Sequence, residues 1–349
     1  MRERLLNYNT AIREAIEQSI KKNKKIILMG LGVDDPKGVF GTTLNLHKTF
    51  KNNVFDLPTA ENAFTGIGLG LSISGFKPIL VHQRVEFSLL SVEQIINQIS
   101  KWYFMSAGKV NVPMVIRLII GKGWGQGPQH AQSLEAIFSH IPGLKVVCPS
   151  NAYDAKGLLI SSILDPNPVI FFEHRWLHDT KSHVPKKYYK DEIGKSKKIK
   201  NGKDLTIISY SYSTIEVLKA TKILNKLNIF PDVIDLKTLR PLDDKIFLRS
   251  AKTTKNVLIV DNGIIKNGIS AEVSAIISEK INSKIKIKRI GVVDSPIPSS
   301  ITLAKHCYPD MQKILEVAME MLSKKNLIKK IPKRRTNIDQ PDESFEGPF

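Results

Sequence analysis

Short, continuous apolar runs alternate with helix-like segments along most of the chain, and this alternation constrains the fold more than any other feature. IILMGLG (26–32), FKPILVHQ (76–83), VPMVIRLIIG (112–121), KVVCP (145–149) and VIFFEH (169–174) lack the in-and-out pattern of a half-exposed strand. Strands that are apolar on both sides are buried on both faces, as in a parallel sheet covered by helices. Between them the spacing predicts helices over 8–23, with Ala11, Ile12, Ala15, Ile16 and Ile20 on one face, from Glu61 onward, over 88–105 and over 153–164. A second series follows: DLTIISYS (204–211), a helix 213–227, DVIDLKTL (232–239), a helix 243–252, NVLIVDN (256–262), a helix 268–282, KIKRIGV (286–292) and a closing helix 300–323. The lysine-rich, apolar-poor stretch 181–203 separates the two series and reads as a linker with short extended pieces. The fold class expected is α/β, with two doubly wound domains at 1–180 and 204–323. A charged, Pro-bearing tail at 324–349 is expected to be mobile or to dock on another chain.

A length of 349 residues agrees with two domains or three, at ~150 residues each. No apolar run reaches the ~18–20 residues of a membrane span, and the N-terminal stretch reads as a helix rather than a signal peptide. No membrane association is expected. Cys148 and Cys307 lie far apart and form no CxxC pair, so neither a disulfide framework nor a zinc site is expected, and the usage fits a reducing cytoplasm. The formal net charge is +19, from 52 basic and 33 acidic residues. The lysines are dispersed, with no aromatic-interleaved basic motif and no zinc-finger spacing, so nucleic-acid binding is not expected; a polyanionic cofactor or a partner subunit is.

Within this frame DLPTAENAFTGIGLGLSISG (56–75) places one carboxylate, Glu61, at the mouth of an apolar, glycine-spaced helix. A charge buried there must pair or change its protonation, and such a carboxyl suits a hydrogen bond to a weakly basic ring nitrogen. The alternative is a first-turn residue near the helix dipole, with Thr59 as the cap. Gly66, Gly68 and Gly70 lie inside the helix and suit close packing. Phe87 in HQRVEFSLLSVEQ either packs on a flat heterocycle or belongs to the core. The loop GKGWGQGPQH follows the strand 112–121, in the position where α/β proteins bind ligands, and ends in His130, whose imidazole suits proton transfer. It is neither a Walker loop nor a dinucleotide fingerprint. His140, ten residues on, reads at least equally well as a buried structural histidine.

TAENAFTGIGLGLSISG, FSLLSVEQIINQISKWYFMSAG, GPQHAQSLEAIFSHIPGLKVVCPSNAYDAKGLL and NPVIFFEH in the first series, with VIDLKTLRPLD, NGISAEVSA and DSPIP in the second, together resemble the beta subunit of the first component of 2-oxo acid dehydrogenase complexes. The likeness runs over residues 4 to 320 in order. It implies a transketolase-type pyrimidine-binding domain followed by a transketolase C-terminal-like domain. Thiamine diphosphate would be shared with an alpha subunit, whose GDG…N motif holds magnesium and diphosphate; this chain has no GDG. An alpha2beta2 heterotetramer is implied, with a lipoyl acyltransferase core as a further partner.

By position, the resemblance puts Glu61 on the aminopyrimidine ring nitrogen, where it favours the imino tautomer. It puts Phe87 beside the pyrimidine, and His130 opposite the thiazolium and substrate. It also implies a potassium site at Met114, Ser162, Ile163, Asp165 and Asn167. Several of those ligands would be backbone carbonyls, and Asp165 reads equally well as a loop cap. Val85 replaces the aromatic found two residues before the Phe87 position in pyruvate-type subunits, next to Arg84 and His82, and the Trp124 loop also departs from the pyruvate pattern. These differences leave room for a split transketolase or a related carboligase. A catalytically silent scaffold, the third reading, is disfavoured by the intact Glu61 and His130.

Overall fold

Burial follows the apolar runs. Ile26–Gly30, Val115–Ile120 and Val169–His174 are buried at every position, and Lys77–His82 at all but its first, as expected of strands with both faces covered. The computed structural model describes residues 4–331. By their internal contacts these form two units. The first holds residues up to Ile120, Ile137–Gly194 and Thr238–Pro241; the second holds Gly121–Ala136, Lys195–Lys237 and the chain from Leu242 on.

The first unit carries a seven-stranded sheet in the order Thr238–Arg240, Lys145–Val147, Val169–His174, Val115–Ile120, Lys77–His82, Ile26–Gly30, Val54–Asp56. All neighbours are parallel except Thr238–Arg240, which runs antiparallel to Lys145–Val147. The helices Tyr8–Lys22 and Ala152–Leu164 pack together beside it. Tyr8–Lys22 buries Ala11, Ile12, Ala15, Ile16 and Ile20, the face read from its spacing. Asn151 caps Ala152–Leu164 by accepting from the Asp154 amide at 2.9 Å. Lys156 on this helix reaches Glu14 on the other at 2.6 Å. Deeper in the unit, fully buried Arg117 makes a two-pronged pair with Glu173 (2.5 and 2.9 Å) and donates to Thr42 Oγ1 (2.7 Å).

The second unit has a five-stranded sheet, Lys286–Val292, Asn256–Ile264, Leu205–Ser209, Pro231–Asp235 and Lys197–Lys200, with only the last edge strand antiparallel. Ser211–Lys226 and Met311–Met321 pack on it over a core that includes Leu205, Val217, Leu224, Val233, Leu258 and Leu315.

Several expectations are corrected. DVIDLKTL is two strands in two sheets, because the turn after Asp235 passes Thr238–Arg240 into the seven-stranded sheet. The stretch 88–105 is not one α-helix: a 3-10 turn at Val85–Ser91, a π-helical turn at Gln94–Ile99 and a short α-turn at Trp102–Met105 replace it. The Ser100 amide reaches the Ile95 carbonyl five residues back at 3.1 Å, Ile95 and Ile99 are buried, and Ser100 Oγ donates to the Ile96 carbonyl. The closing helix is broken into Ile301–Ala304 and Met311–Met321. Pro309 interrupts the ladder, and Asp310 caps the new start by accepting from the Lys313 amide at 2.9 Å. By contrast, the short extended pieces expected in the linker are present as two strands, Lys181–His183 paired with Leu5–Asn7 and Lys197–Lys200 on the second sheet. In the expected tail, Lys325–Lys330 forms a 3-10 turn, with Leu327, Ile328 and Ile331 packed on the second core; residues 332–349 lie outside the described residues. Among the described residues no helix is long and apolar enough to cross a membrane.

Candidate active site

A tight crevice lined by Leu31, Glu61, Phe64, Val81, His82, Gln83 and Phe87, too narrow in this chain alone to admit a water molecule, lies at the C-terminal ends of Ile26–Gly30 and Lys77–His82. That is where parallel sheets place ligands. The two strands approach so closely that a Cβ on Gly30 would stand 2.4 Å from the Val81 carbonyl oxygen, and only glycine fits there. Beyond it the Leu31 carbonyl accepts from Gln83 Nε2 at 2.9 Å, which ties the two strand ends together.

Glu61 is the first residue of the helix Glu61–Ile73 and is 4% exposed. Neither Thr59 nor the N-cap residue Ala60 supplies a side-chain cap, so the expected Thr59 cap is not formed. The Glu61 carboxylate has no hydrogen-bond or ion-pair partner among the described residues. The positive end of its helix favours the charge but does not replace a partner. A carboxyl group held in this way is open to a hydrogen-bonding partner from outside the chain. Phe64, Thr65, Gly68, Leu69 and Ser72 are the other buried positions of the helix, spaced along one face. Gly68 provides the close approach, since a Cβ there would lie 3.0–3.2 Å from the ends of Leu80 and Met114. Gly66 and Gly70, expected to serve the same purpose, face nothing within 4 Å. Phe87 sits half-buried on the 3-10 turn Val85–Ser91 and joins Glu61 in lining the cleft.

His82 belongs to the same cleft. It is 2% exposed, its ring lies 5.0 Å from that of Phe64, and neither ring nitrogen has a hydrogen-bond partner. Burial pushes its pKa down to about 3, so the ring is neutral. From sequence His82 stands out only as a neighbour of the Val85 departure near Phe87. The available signal was a polar residue closing an apolar strand.

His130 lies in the second unit, half-buried, on the loop that follows Val115–Ile120. Gly123, Trp124, Gly125 and Gly127 all have positive φ, between 54° and 82°, which explains the glycine spacing. Gly127 packs so closely that a Cβ would meet Ser299 Oγ at 2.4 Å. Farther along, Asn262 Nδ2 donates to Ser133 Oγ (3.1 Å) and to Glu135 Oε1 (2.9 Å). Burial pushes the Glu135 carboxyl up to about 7. At the start of the loop Lys122 lies 4.9 Å from the ring centres of both Tyr212 and Tyr308, and burial lowers its pKa to about 8. None of these neighbours was singled out from sequence. His140 is exposed, contrary to the structural reading given for it.

Met114, Ser162 and Ile163 are buried, and Asp165 is the C-cap of Ala152–Leu164. Asp165 Oδ1 accepts from the Asn167 amide at 2.9 Å, and its Oδ2 pairs with Lys145 at 2.5 Å. The Ile163 carbonyl faces the Lys77 ammonium at 3.3 Å, and the Met114 carbonyl accepts from the Val169 amide at 3.0 Å. Two ammonium groups therefore already meet the Ile163 and Asp165 oxygens.

The fold and the cleft define a transketolase-type protein. Residues 5–179 match the family described as transketolase, pyrimidine binding domain, and residues 194–314 match transketolase, C-terminal domain. A solved chain described as a split gene transketolase, inactive beta4 tetramer, shares the fold at a TM-score of 0.74 and 22% identity, over 92% of this chain and 99% of that one. Curated relatives are closer in sequence. The chain is 34% identical to the beta subunit of acetoin:2,6-dichlorophenolindophenol oxidoreductase of Cupriavidus necator, over 91% of this chain and 98% of that protein. It is 36% identical to the pyruvate dehydrogenase E1 component subunit beta of Staphylococcus epidermidis (89% and 97%) and 36% identical to the 2-oxoisovalerate dehydrogenase subunit beta of Bacillus subtilis (91% and 99%). The chain belongs to the family of 2-oxo acid dehydrogenase E1 beta subunits. Membership implies thiamine diphosphate as cofactor and an E1 alpha subunit as partner.

Proposed function

We propose that this chain is the beta subunit of a 2-oxo acid dehydrogenase first component, with Glu61 as the group that engages the cofactor's aminopyrimidine. The observation that carries this reading is the buried, unpartnered Glu61 carboxylate in a cleft it shares with Phe87. The names of the curated relatives favour oxidative decarboxylation with acyl transfer to a lipoyl group over the carboligase alternative.

The Glu61 carboxyl would donate a hydrogen bond to the weakly basic ring nitrogen, and would accept one back once its proton had passed to the ring. Phe87 supplies an apolar wall against the flat ring. The apolar lining keeps water from competing for Glu61, so each hydrogen bond is stronger than in water. His130, on the glycine loop, exchanges a proton with the reacting substrate. When bound, thiamine diphosphate supplies the electron sink for loss of carbon dioxide, while the protein orients it. Magnesium and the diphosphate fall to the GDG…N motif of an alpha subunit, in an alpha2beta2 assembly that can dock on a lipoyl acyltransferase core. A potassium ion at Met114, Ser162, Ile163, Asp165 and Asn167 would share the Ile163 and Asp165 oxygens with Lys77 and Lys145. The unpaired Cys148 and Cys307 support a cytoplasmic setting.

Glu61→Ala, reconstituted with the alpha subunit, is the test. Turnover should fall roughly 100- to 10,000-fold, the range of a lost acid–base group, with assembly unchanged by size-exclusion chromatography. Normal turnover in that variant overturns the reading.

A further inference from the structure

His82 closes the strand Lys77–His82, in which Ile79, Leu80 and Val81 are fully buried and apolar. A valine or phenylalanine would continue that strand at no polar cost. A neutral imidazole instead carries one N–H donor and one bare acceptor nitrogen. Left buried and unsatisfied, such groups destabilise the folded chain. Here both nitrogens lack a partner, the side chain is 2% exposed, and the residue lines the cleft that holds Glu61. The Phe64 ring packs against the imidazole and Gln83 is committed to the Leu31 carbonyl, so neither satisfies it. Its low pKa keeps it from forming an ion pair with Glu61.

We propose that His82 is a second cofactor-contacting residue of the Glu61 cleft, whose neutral imidazole hydrogen-bonds the edge of the heteroaromatic ring that Glu61 engages. The proposal rests on the reading of this cleft as the aminopyrimidine site and adds a polar contact to it. The apo protein carries the unsatisfied imidazole as a cost, and ring binding removes it. Cofactor affinity and apo stability are therefore set against each other at this one position.

The test uses the reconstituted alpha–beta pair carrying His82→Phe or His82→Gln. It reads thiamine diphosphate binding by calorimetry with magnesium present, melting temperature with and without cofactor, and KM for the oxo acid. His82→Phe should weaken cofactor binding about tenfold, the upper end of what one neutral hydrogen bond contributes. It should also melt no lower than wild type without cofactor and leave the oxo-acid KM unchanged. His82→Gln, which keeps a donor and an acceptor, should recover most of the affinity. The proposal is overturned if His82→Phe binds the cofactor as tightly as wild type, if only the oxo-acid KM rises, or if both variants melt lower without cofactor and bind it equally poorly. If the wild-type pair itself fails to bind thiamine diphosphate, the cleft reading fails and the proposal with it; a wild-type pair that binds, beside an unaffected His82→Phe, removes His82 alone.

Discussion

Glu135 shows how one side chain couples this fold to pH. It is 1% exposed, and its Oε1 accepts from Asn262 while Oε2 has no partner. Burial is the main cause of its raised pKa, nearby Asp261 adds to it, and the hydrogen bond from Asn262 opposes it. With a folded value of about 7, the folded chain keeps a proton that the unfolded chain releases near pH 4–5. Stability from this group is complete in acid and is lost as pH rises through 7, because the native state binds more protons. The loss above pH 7 is on the order of 3 kcal/mol, at 1.36 kcal/mol per unit. Glu135→Gln retains the oxygen that Asn262 contacts and cannot ionise. Urea unfolding should show it more stable than wild type above pH 7 and equal to it at about pH 4. Parallel stability curves for the two proteins would contradict this. Nothing in QSLEAIF marks Glu135 as buried, since its partner Asn262 is far away in sequence; Glu61 was legible because its apolar, glycine-spaced helix is local.

At the scale of elements, the helix Glu61–Ile73 has two unlike faces. Gly68 meets Leu80 and Met114, whereas Gly70 meets nothing within 4 Å. Gly68→Leu should therefore overpack the helix against its sheet and cost about 1–3 kcal/mol. Gly70→Ala in the isolated chain should gain about 0.5–1 kcal/mol, since alanine loses less conformational entropy in a helix. Thermal melts of the two variants check the pair, and shifts of the same sign would show that the two faces are not distinct. From sequence the three glycines look alike, and only the packing partners separate them. The broken stretch 85–105 teaches a related lesson. Its apolar residues suit a helix, but its turns take 3-10 and π spacings that no regular helical period describes.

For the whole molecule, the described residues hold no cluster of three or more His, Cys, Asp or Glu that could bind a metal ion. The proposed diphosphate and magnesium contacts belong to an alpha subunit. The chain alone should accordingly bind thiamine diphosphate weakly by calorimetry, and affinity should appear on adding the alpha subunit. Tight, magnesium-dependent binding by the isolated chain would overturn the shared-site arrangement.

The sequence by itself determined the α/β class, the order of the long buried strands and of the main helices between them, and the segments carrying Glu61, Phe87 and His130. Strand burial and helix periodicity are written in residues a few positions apart, so they can be read along the chain. Tertiary structure alone decided that Thr238–Arg240 joins the first sheet, that Lys145 takes Asp165, and that His82 stands unsatisfied beside Glu61. Each of these outcomes depends on which distant groups come within hydrogen-bonding or packing reach, and no local pattern encodes that.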